Sequence, residues 1–324
     1  MNGAGDYQFL LSIMDGQRAG DDGVERFRVG RMGDSRVQIS GRLTSWDNTC
    51  GVPVRSRMPA VLYEKRDNTA WVTLNRPEAK NMMNAEVFGG LLDAWQEIRD
   101  DRDVRVVILT AAGDVDFCVG GDLRELIPLW TKAKQPETEL ERRVADPRIL
   151  DRVMLKTEPL DKPIIGAING RALGGGTEIL LLTDIRIAVE HATFGLPEPR
   201  AGIVPGAGAM ARLARQIPYA HAMKLMLTAE PITAAEALTY GLISEVVPAE
   251  RLVARAEELA AMVCRNAPLS MGVVKRTVLA THTMDWEDAF RFEARESAVA
   301  TRSKDAREGP LAFKERRPPQ WTGE

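Results

Sequence analysis

Apolar residues occur along this chain first in short β-like runs and later in helical stripes. Between residues 61 and 74, apolar and polar positions alternate around a central Asp-Asn turn, which predicts a β-hairpin. Further short runs rich in Val and Ile are typical of buried strands. These runs cover residues 104–110, 163–169, 185–189 and 243–247.

Helical spacing dominates the remaining pattern. Asn84 can cap a helix whose apolar positions recur every three or four residues as far as Ile98. After residue 250 the pattern is helical throughout. Strands in the first part and helices in the last predict an α/β fold. We expect a layered core over residues 59–250 and a C-terminal helical region over residues 251–324.

The first 58 residues differ from the rest in composition. They contain eight arginines, nine glycines and no lysine. A transit peptide is also Arg-rich, but it is poor in acids, whereas this stretch carries Asp21, Asp22 and Glu25. We interpret residues 1–58 as a poorly ordered N-terminal extension.

Composition and charge exclude several classes of function. The chain of 324 residues is 44% hydrophobic and 27% charged with a net charge of −3, which gives no reason to expect nucleic acid or a membrane as partner. No signal peptide or membrane-length apolar run is evident. Three scattered cysteines and three histidines indicate a reducing, cytoplasmic location, and they form no legible metal or redox-cofactor site.

The central stretch of residues 162–184 contains the first candidate chemistry. Three glycines, Gly174 to Gly176, follow a buried run and precede the apolar segment Ile179–Leu182. Such a turn leaves N–H groups uncovered at the positive end of a helix, where an anion can bind. Glu178 lies one helical turn after Gly175, on the same face. The alternative is an ordinary first-turn acid favoured by the helix dipole, but because its surroundings are apolar, we expect a partly buried carboxyl group with a raised pKa.

A second turn can supply another donor for the same anion. Gly120, Gly121 and Asp122 follow the strand predicted over residues 104–110, and an oxyanion hole usually needs two N–H groups. Taken singly, each glycine pair is equally explained by tight-turn geometry. The two turns together favour an anion hole, with Gly175 as one candidate donor and the turn of Gly120, Gly121 and Asp122 as the source of the second.

Two further stretches carry candidate functional residues. Glu198 lies between Pro197 and Pro199, which fix its backbone and so aim its side chain, although composition alone favours a solvated loop acid. Residues 206–211, GAGAMA, match a dinucleotide-binding fingerprint. The run before them is too short for a strand and contains Pro205, so we reject this match.

Taken in order, these motifs resemble the crotonase superfamily, the enoyl-CoA hydratase/isomerase family. The resemblance covers residues 60–321 and rests on five segments: VTLNRPEAKNMMN, FCVGGDLREL, KPIIGAINGRALGGGTEILLLTDIRIA, FGLPEPRAGIVPGAGAMARL and DAREGPLAFKERRPPQW. It implies a ClpP-like spiral of strand–strand–helix units, and a C-terminal helical region that assembles trimers or dimers of trimers. It also implies an acyl-CoA thioester substrate, with coenzyme A as part of the substrate and no other cofactor.

The same resemblance assigns roles to particular residues. It implies that Gly121 and Gly175 hold the thioester oxygen of an enolate, and that Glu178 and Glu198 are the catalytic pair. On this basis Glu178 activates water at C3, and Glu198 exchanges the proton at C2. The resemblance further implies contacts of substrate or CoA with Asp122, Leu123, Arg124, Gly174 and Lys314. For Lys314 and its basic neighbours, a solvated helix end is an equal alternative.

Departures from the family pattern leave the substrate open. Gly121 stands where Ala is usual, and residues 127–161, which line the acyl pocket in the family, are longer than in short members. We predict an enoyl-CoA hydratase-like enzyme. The alternatives are another crotonase reaction, either isomerisation or hydration coupled to C–C cleavage, and a non-catalytic acyl-CoA-binding protein.

Overall fold

The structure is a computed structural model that describes residues 38–39 and 58–324. Apart from Gln38–Ile39 and Met58, the extension predicted over residues 1–58 lies outside the described residues. Its predicted lack of order therefore stays a prediction.

Eleven strands lie in the described residues. They are β1 (Gln38–Ile39), β2 (Val61–Arg66), β3 (Thr69–Leu74), β4 (Val106–Ala111), β5 (Asp116–Cys118), β6 (Ile164–Ile168), β7 (Arg171–Leu173), β8 (Ile185–Val189), β9 (Thr193–Gly195), β10 (Ile232–Thr233) and β11 (Glu245–Val247).

Twelve α-helices accompany them in the same part of the chain. They are α1 (Ala85–Asp100), α2 (Ile127–Trp130), α3 (Glu139–Val144), α4 (Pro147–Val153), α5 (Gly175–Leu180), α6 (Ala209–Gln216), α7 (Tyr219–Thr228), α8 (Ala234–Tyr240), α9 (Leu252–Cys264), α10 (Pro268–Thr281), α11 (Trp286–Thr301) and α12 (Asp305–Glu315).

The strands form two sheets, and the chain alternates between them. The larger sheet has the order β1-β2-β3-β4-β6-β8-β11, and the smaller has the order β10-β9-β7-β5. The chain passes from β4 to β5, from β6 to β7 and from β8 to β9, so each turn adds one strand to each sheet. The pairings of β4, β6 and β8, and those of β5, β7 and β9, are parallel. This repeated step is a spiral of strand–strand–helix units.

Local sequence explains the first elements of this spiral. The predicted hairpin is present as β2 and β3, which pair antiparallel from Val61–Leu74 to Arg66–Thr69. Asn84 caps α1, since its side chain accepts the N–H of Val87 at 3.1 Å. The strand predicted over residues 104–110 begins at Val106, and the one predicted over 243–247 begins at Glu245. The core strands β4, β6 and β8 are rich in Val and Ile and almost wholly buried.

Five strands in the described residues were not predicted from the pattern: β1, β5, β7, β9 and β10. Each has only two or three residues, too few for alternation to show. Three of them form the parallel part of the smaller sheet, which positions the candidate site.

The C-terminal helices differ in how they contact the core. The first of them, α9, buries Leu252, Ala256 and Ala260 and packs on β4, β6 and β8. It therefore belongs to the layer that covers the larger sheet. The later helix α11 buries no residue.

Candidate active site

Three loops meet at one edge of the smaller sheet. Because β5, β7 and β9 are parallel neighbours, their carboxyl ends lie side by side. The loop after β5 carries Gly120 and Gly121, the one after β7 carries Gly174 and Gly175, and the one after β9 carries Glu198. Three-residue strands thus bring together motifs that are far apart in sequence.

The two glycine turns face each other closely. A Cβ atom placed on Gly175 would lie 3.6 Å from the backbone N of Gly121, and one on Gly120 would lie 3.4 Å from the N of Gly175. Within residues 58–324, neither the Gly121 nor the Gly175 N–H donates to a protein acceptor. Two free N–H groups in close proximity can bind a single anionic oxygen.

Two of the glycines are required by local geometry. Gly174 has φ of +54°, a left-handed conformation that favours glycine. A Cβ on Gly176 would lie 1.9 Å from the carbonyl oxygen of Cys118, so only glycine allows the turn to approach β5. Loss of either glycine would separate the second turn from the first.

The first turn is held by residues that precede α1. Met83 accepts the N–H of Asp122 at 2.8 Å and donates its own N–H to Gly120 at 2.9 Å. Its terminal methyl carbon also lies against Gly175, only 2.4 Å from where a Cβ there would be. Met83 is therefore in contact with both turns, and no sequence feature singled it out.

Asp122 was predicted as a substrate contact, and in the structure its carboxylate binds groups of the chain itself. Its carboxylate lies 3.5 Å from Arg76, and both side chains are buried. The same carboxylate accepts the N–H groups of Arg124 at 3.0 Å and Glu125 at 3.2 Å. It thus holds the loop of Gly120 and Gly121 in shape. The partner Arg76 was not identified from sequence.

Glu178 is buried in the centre of the arrangement. Its side chain is 3% exposed, as its apolar segment predicts, and its Oε1 accepts the N–H of Ala209 at 3.1 Å. Burial raises the pKa of Glu178 to about 7, and the negative charge of Glu198 adds to the increase. Backbone donors at Ala207 and Ala209 partly oppose it. A carboxyl group with this pKa can exchange protons near neutrality.

Glu198 approaches the same place from the loop after β9. Its Oε1 lies 2.8 Å from where a Cβ on Gly174 would be. Its Oε2 is buried and has no hydrogen-bond partner within the described part of the chain. Burial raises the pKa of Glu198, which favours the protonated form compared with a solvated glutamate. The solvated loop acid favoured by composition alone is therefore wrong.

The segment rejected as a nucleotide fingerprint has another role. No strand precedes residues 206–211; a 3-10 helix, Glu198–Ala201, and a loop do. The segment begins α6 and supplies the Ala209 N–H to Glu178. The sequence shows a glycine-rich segment after Glu198, but it does not show that this segment contacts Glu178.

Other predicted residues lie at the surface. Leu123 is 62% exposed, and Arg124 is also exposed, both on the loop that follows Gly121. Lys314 is exposed near the end of α12. Its neighbour Arg317 forms ion pairs with Glu308 and Glu315, which accounts for its charge within the chain.

Three further observations concern the described residues as a whole. These residues contain no group of three or more His, Cys, Asp or Glu side chains placed to hold a metal ion. Burial raises the pKa of Cys118 to about 12, so this thiol is neutral and unsuited to nucleophilic attack. None of their helices is long and apolar enough to cross a membrane.

Known proteins share this fold and these motifs. A family model for enoyl-CoA hydratase/isomerase matches residues 64–324. The chain is 40% identical over 263 residues to the enoyl-CoA hydratase EchA19 of Mycobacterium tuberculosis, covering 81% of this chain and 96% of that protein. It is 39% identical over 267 residues to the (E)-benzylidenesuccinyl-CoA hydratase of Thauera aromatica, covering 82% of this chain and 100% of that protein. The crystal structure of an enoyl-CoA hydratase from Bacillus anthracis superposes with a TM-score of 0.74 at 35% identity, covering 82% of this chain and 100% of that chain.

The fold and the similarities define a crotonase-type enzyme. The chain belongs to the enoyl-CoA hydratase/isomerase family, and its function is enoyl-CoA hydratase-like. The family and the crotonase fold predicted from the motifs are thereby confirmed.

Proposed function

We propose that this protein adds water across the C2–C3 double bond of an enoyl-CoA thioester. The observation that carries the proposal is the meeting of two free N–H groups, from Gly121 and Gly175, with two carboxyl groups, buried Glu178 and half-buried Glu198. Hydration requires these components: a site for the enolate oxygen, a base for water, and an acid for carbon.

Each group has a defined task in the proposed reaction. Ionised Glu178 takes a proton from water while the oxygen of that water bonds to C3. The electron pair of the double bond moves towards the thioester, whose oxygen gains negative charge and is stabilised by the two N–H donors. Protonated Glu198 then gives its proton to C2. Atoms and charges balance, since one water is added and one proton passes from Glu178 to Glu198 to restore the resting state.

Burial raises the pKa of both acids above that of a solvated glutamate, to about 7 for Glu178. At neutral pH, a pKa of about 7 leaves a substantial fraction of Glu178 ionised and able to accept a proton from water. The role of Glu198 as the acid rests on its position, since its Oε1 lies against Gly174 and its Oε2 is buried without a hydrogen-bond partner in the described residues.

The test is a panel of enoyl-CoA thioesters with short, branched, long and aromatic acyl groups. Hydration removes the conjugated enoyl-thioester absorbance and adds the mass of one water. The E178Q and E198Q variants should each lose at least about 10²-fold in kcat while still binding CoA thioesters. Near wild-type hydration by either variant would refute the two-carboxylate mechanism. Isomerised or cleaved products would indicate another crotonase reaction, and binding without turnover would indicate a carrier.

The outer contacts of the substrate are also proposals. We propose that Lys314 meets the CoA phosphates and that Leu123, Arg124 and Gly174 contact the thioester and pantetheine. K314A should raise KM for an enoyl-CoA but not for the matching enoyl-pantetheine, which has no nucleotide. Equal effects on both substrates would exclude a phosphate contact.

We further propose a homo-oligomer, a trimer or a dimer of trimers, in a reducing cytoplasmic environment. Large apolar side chains on the C-terminal helices support assembly, because Trp286 is 78% and Phe313 86% exposed in the single chain. Native mass spectrometry and light scattering measure the subunit number. A stable monomer at micromolar concentration would overturn the oligomer.

A further inference from the structure

Two segments beside Glu178 are joined by basic side chains that reach in opposite directions. The first, residues 154–156, follows α4 and is called here the wall segment. The second is the turn of residues 206–208 that leads into α6. Lys156 of the wall segment donates its Nζ to the carbonyl of Gly206 at 3.0 Å. Arg212 of α6 donates its Nη2 back to the carbonyls of Met154 and Leu155, at 2.9 and 3.2 Å.

Both contacts end on backbone carbonyls, which leaves the charges incompletely neutralised. Arg212 forms no ion pair with a carboxylate among the described residues, and its Nη1 is buried without a hydrogen-bond partner there. That Nη1 lies 3.1 Å from where a Cβ on Gly208 would be. Lys156 pairs at 2.9 Å with Asp151, which is 42% exposed. A guanidinium without a counterion is therefore held against the turn.

The turn is also what holds Glu178. The N–H of Ala209 donates to the Glu178 carboxylate, and the backbone N–H of Ala207 also lowers the pKa of Glu178. The wall segment is itself anchored, since Trp95 on α1 donates its Nε1 to the carbonyl of Val153 at 3.0 Å. A rigid support thus runs from α1 through the wall segment to the donors of Glu178.

Both cations act on the same carboxylate. The charged groups that face Glu178 are Glu198 from the 3-10 turn, Lys156 from the wall segment and Arg212 from α6. The charge of Glu198 raises the pKa of Glu178, whereas the charge of Lys156 lowers it. In turn, Glu178 favours the charged form of Arg212, which burial opposes.

We propose that Lys156 and Arg212 are positioning residues for Glu178, which clamp the wall segment to the turn of residues 206–208. The clamp keeps the Ala207 and Ala209 donors in place and supplies positive charge that favours the ionised carboxylate. The part of this inference that concerns catalysis rests on the proposed function of Glu178 as the base.

The first test separates charge from geometry by kinetics. K156M removes the charge and the donor but keeps an apolar side chain, whereas K156R keeps the charge. The acid limb of kcat/KM against pH should move upward by roughly half a unit in K156M and stay in place in K156R.

R212K keeps the charge but loses the planar guanidinium that bonds two carbonyls at once. We therefore expect kcat to fall about tenfold, with little change in KM and no shift of the acid limb. K224M, at an exposed lysine on α7, is the matched control.

The second test needs no substrate and so remains informative if no enoyl-CoA is hydrated. Thermal unfolding at pH 8 is measured for wild type, K156M, E178Q and the double variant. K156M should lower Tm more in the wild-type background than in E178Q, because only the former has a carboxylate to stabilise. If K156M lowered Tm equally in the wild-type and E178Q backgrounds, and also left the acid limb of kcat/KM in place, the clamp would be overturned. A wild type inactive on every thioester would instead refute the hydratase proposal.

Discussion

Ala209 donates its backbone N–H to Oε1 of Glu178 at 3.1 Å, although 31 positions separate these residues. The donor is the first residue of α6, where N–H groups are free and the helix dipole favours a negative charge. This donor favours the ionised form of Glu178, whereas burial and the charge of Glu198 raise its pKa. The pH behaviour of the protein is therefore a direct test of the site.

The first prediction concerns the pH dependence of turnover. If Glu178 must be ionised to accept a proton from water, the acid limb of kcat/KM should rise with pH through its pKa of about 7, and the need for a protonated Glu198 adds a fall at higher pH. Initial rates with one good enoyl-CoA between pH 5 and 9 measure this limb. A limb centred below pH 5 would mean that Glu178 is not the titrating base.

The second prediction concerns stability without substrate. The pKa of Glu178 is raised from 4.5 in a solvated glutamate to about 7 in the folded state, so between these values the folded state binds the proton more tightly. Stability due to the protonated group is complete below pH 4.5 and is lost as pH rises through 7. Relative to wild type, E178Q should therefore gain stability across this window, by up to about 3 kcal/mol. Denaturant unfolding at several pH values measures the gain, and a difference that stays constant from pH 5 to 8 would contradict it.

Sequence reasoning could identify the groups of the site more readily than their supports. Gly121, Gly175, Glu178 and Glu198 belong to motifs whose chemistry is visible locally, as a glycine turn or an aimed acid. The strands that bring them together, β5, β7 and β9, have three residues each, too few for a period to show. Their pairing is a property of the spiral and not of any one segment.

The same limit applies to long-range partners. Nothing near Asp122 in sequence indicates that Arg76 will neutralise it, and Ala209 carries no functional side chain at all. Contacts made by backbone atoms or by residues 30 or more positions away depend on tertiary packing. They became visible only when the loops were placed at one sheet edge.

The third prediction concerns the buried pair of Arg76 and Asp122. D122N keeps an oxygen for the N–H groups of Arg124 and Glu125 but removes the charge, leaving buried Arg76 with only a distant, exposed carboxylate partner. We expect a loss of about 3 kcal/mol in the free energy of unfolding, and a lower kcat because the anion-hole loop shifts. Glu125 provides the control, since its side chain is 55% exposed and lies 3.9 Å from Arg76. E125Q should change stability by less than about 1 kcal/mol. Equal effects of the two variants in chemical unfolding would remove the special role of Asp122.

The last prediction compares neighbouring glycines of the first turn. Gly120 has φ of +104°, and a Cβ there would lie 3.2 Å from the carbonyl oxygen of Leu173, a backbone atom that cannot easily move. A Cβ on Gly121 would instead meet the end of the Ile127 side chain at 3.3 Å, which can adjust. G120A should therefore separate the two glycine turns, lowering kcat/KM by about 10²-fold and stability by about 1–3 kcal/mol. G121A should keep most activity, because it changes neither the donor nor the backbone. If G121A were as damaging as G120A, then free volume beside Gly121, and not the spacing of the two N–H groups, would limit turnover.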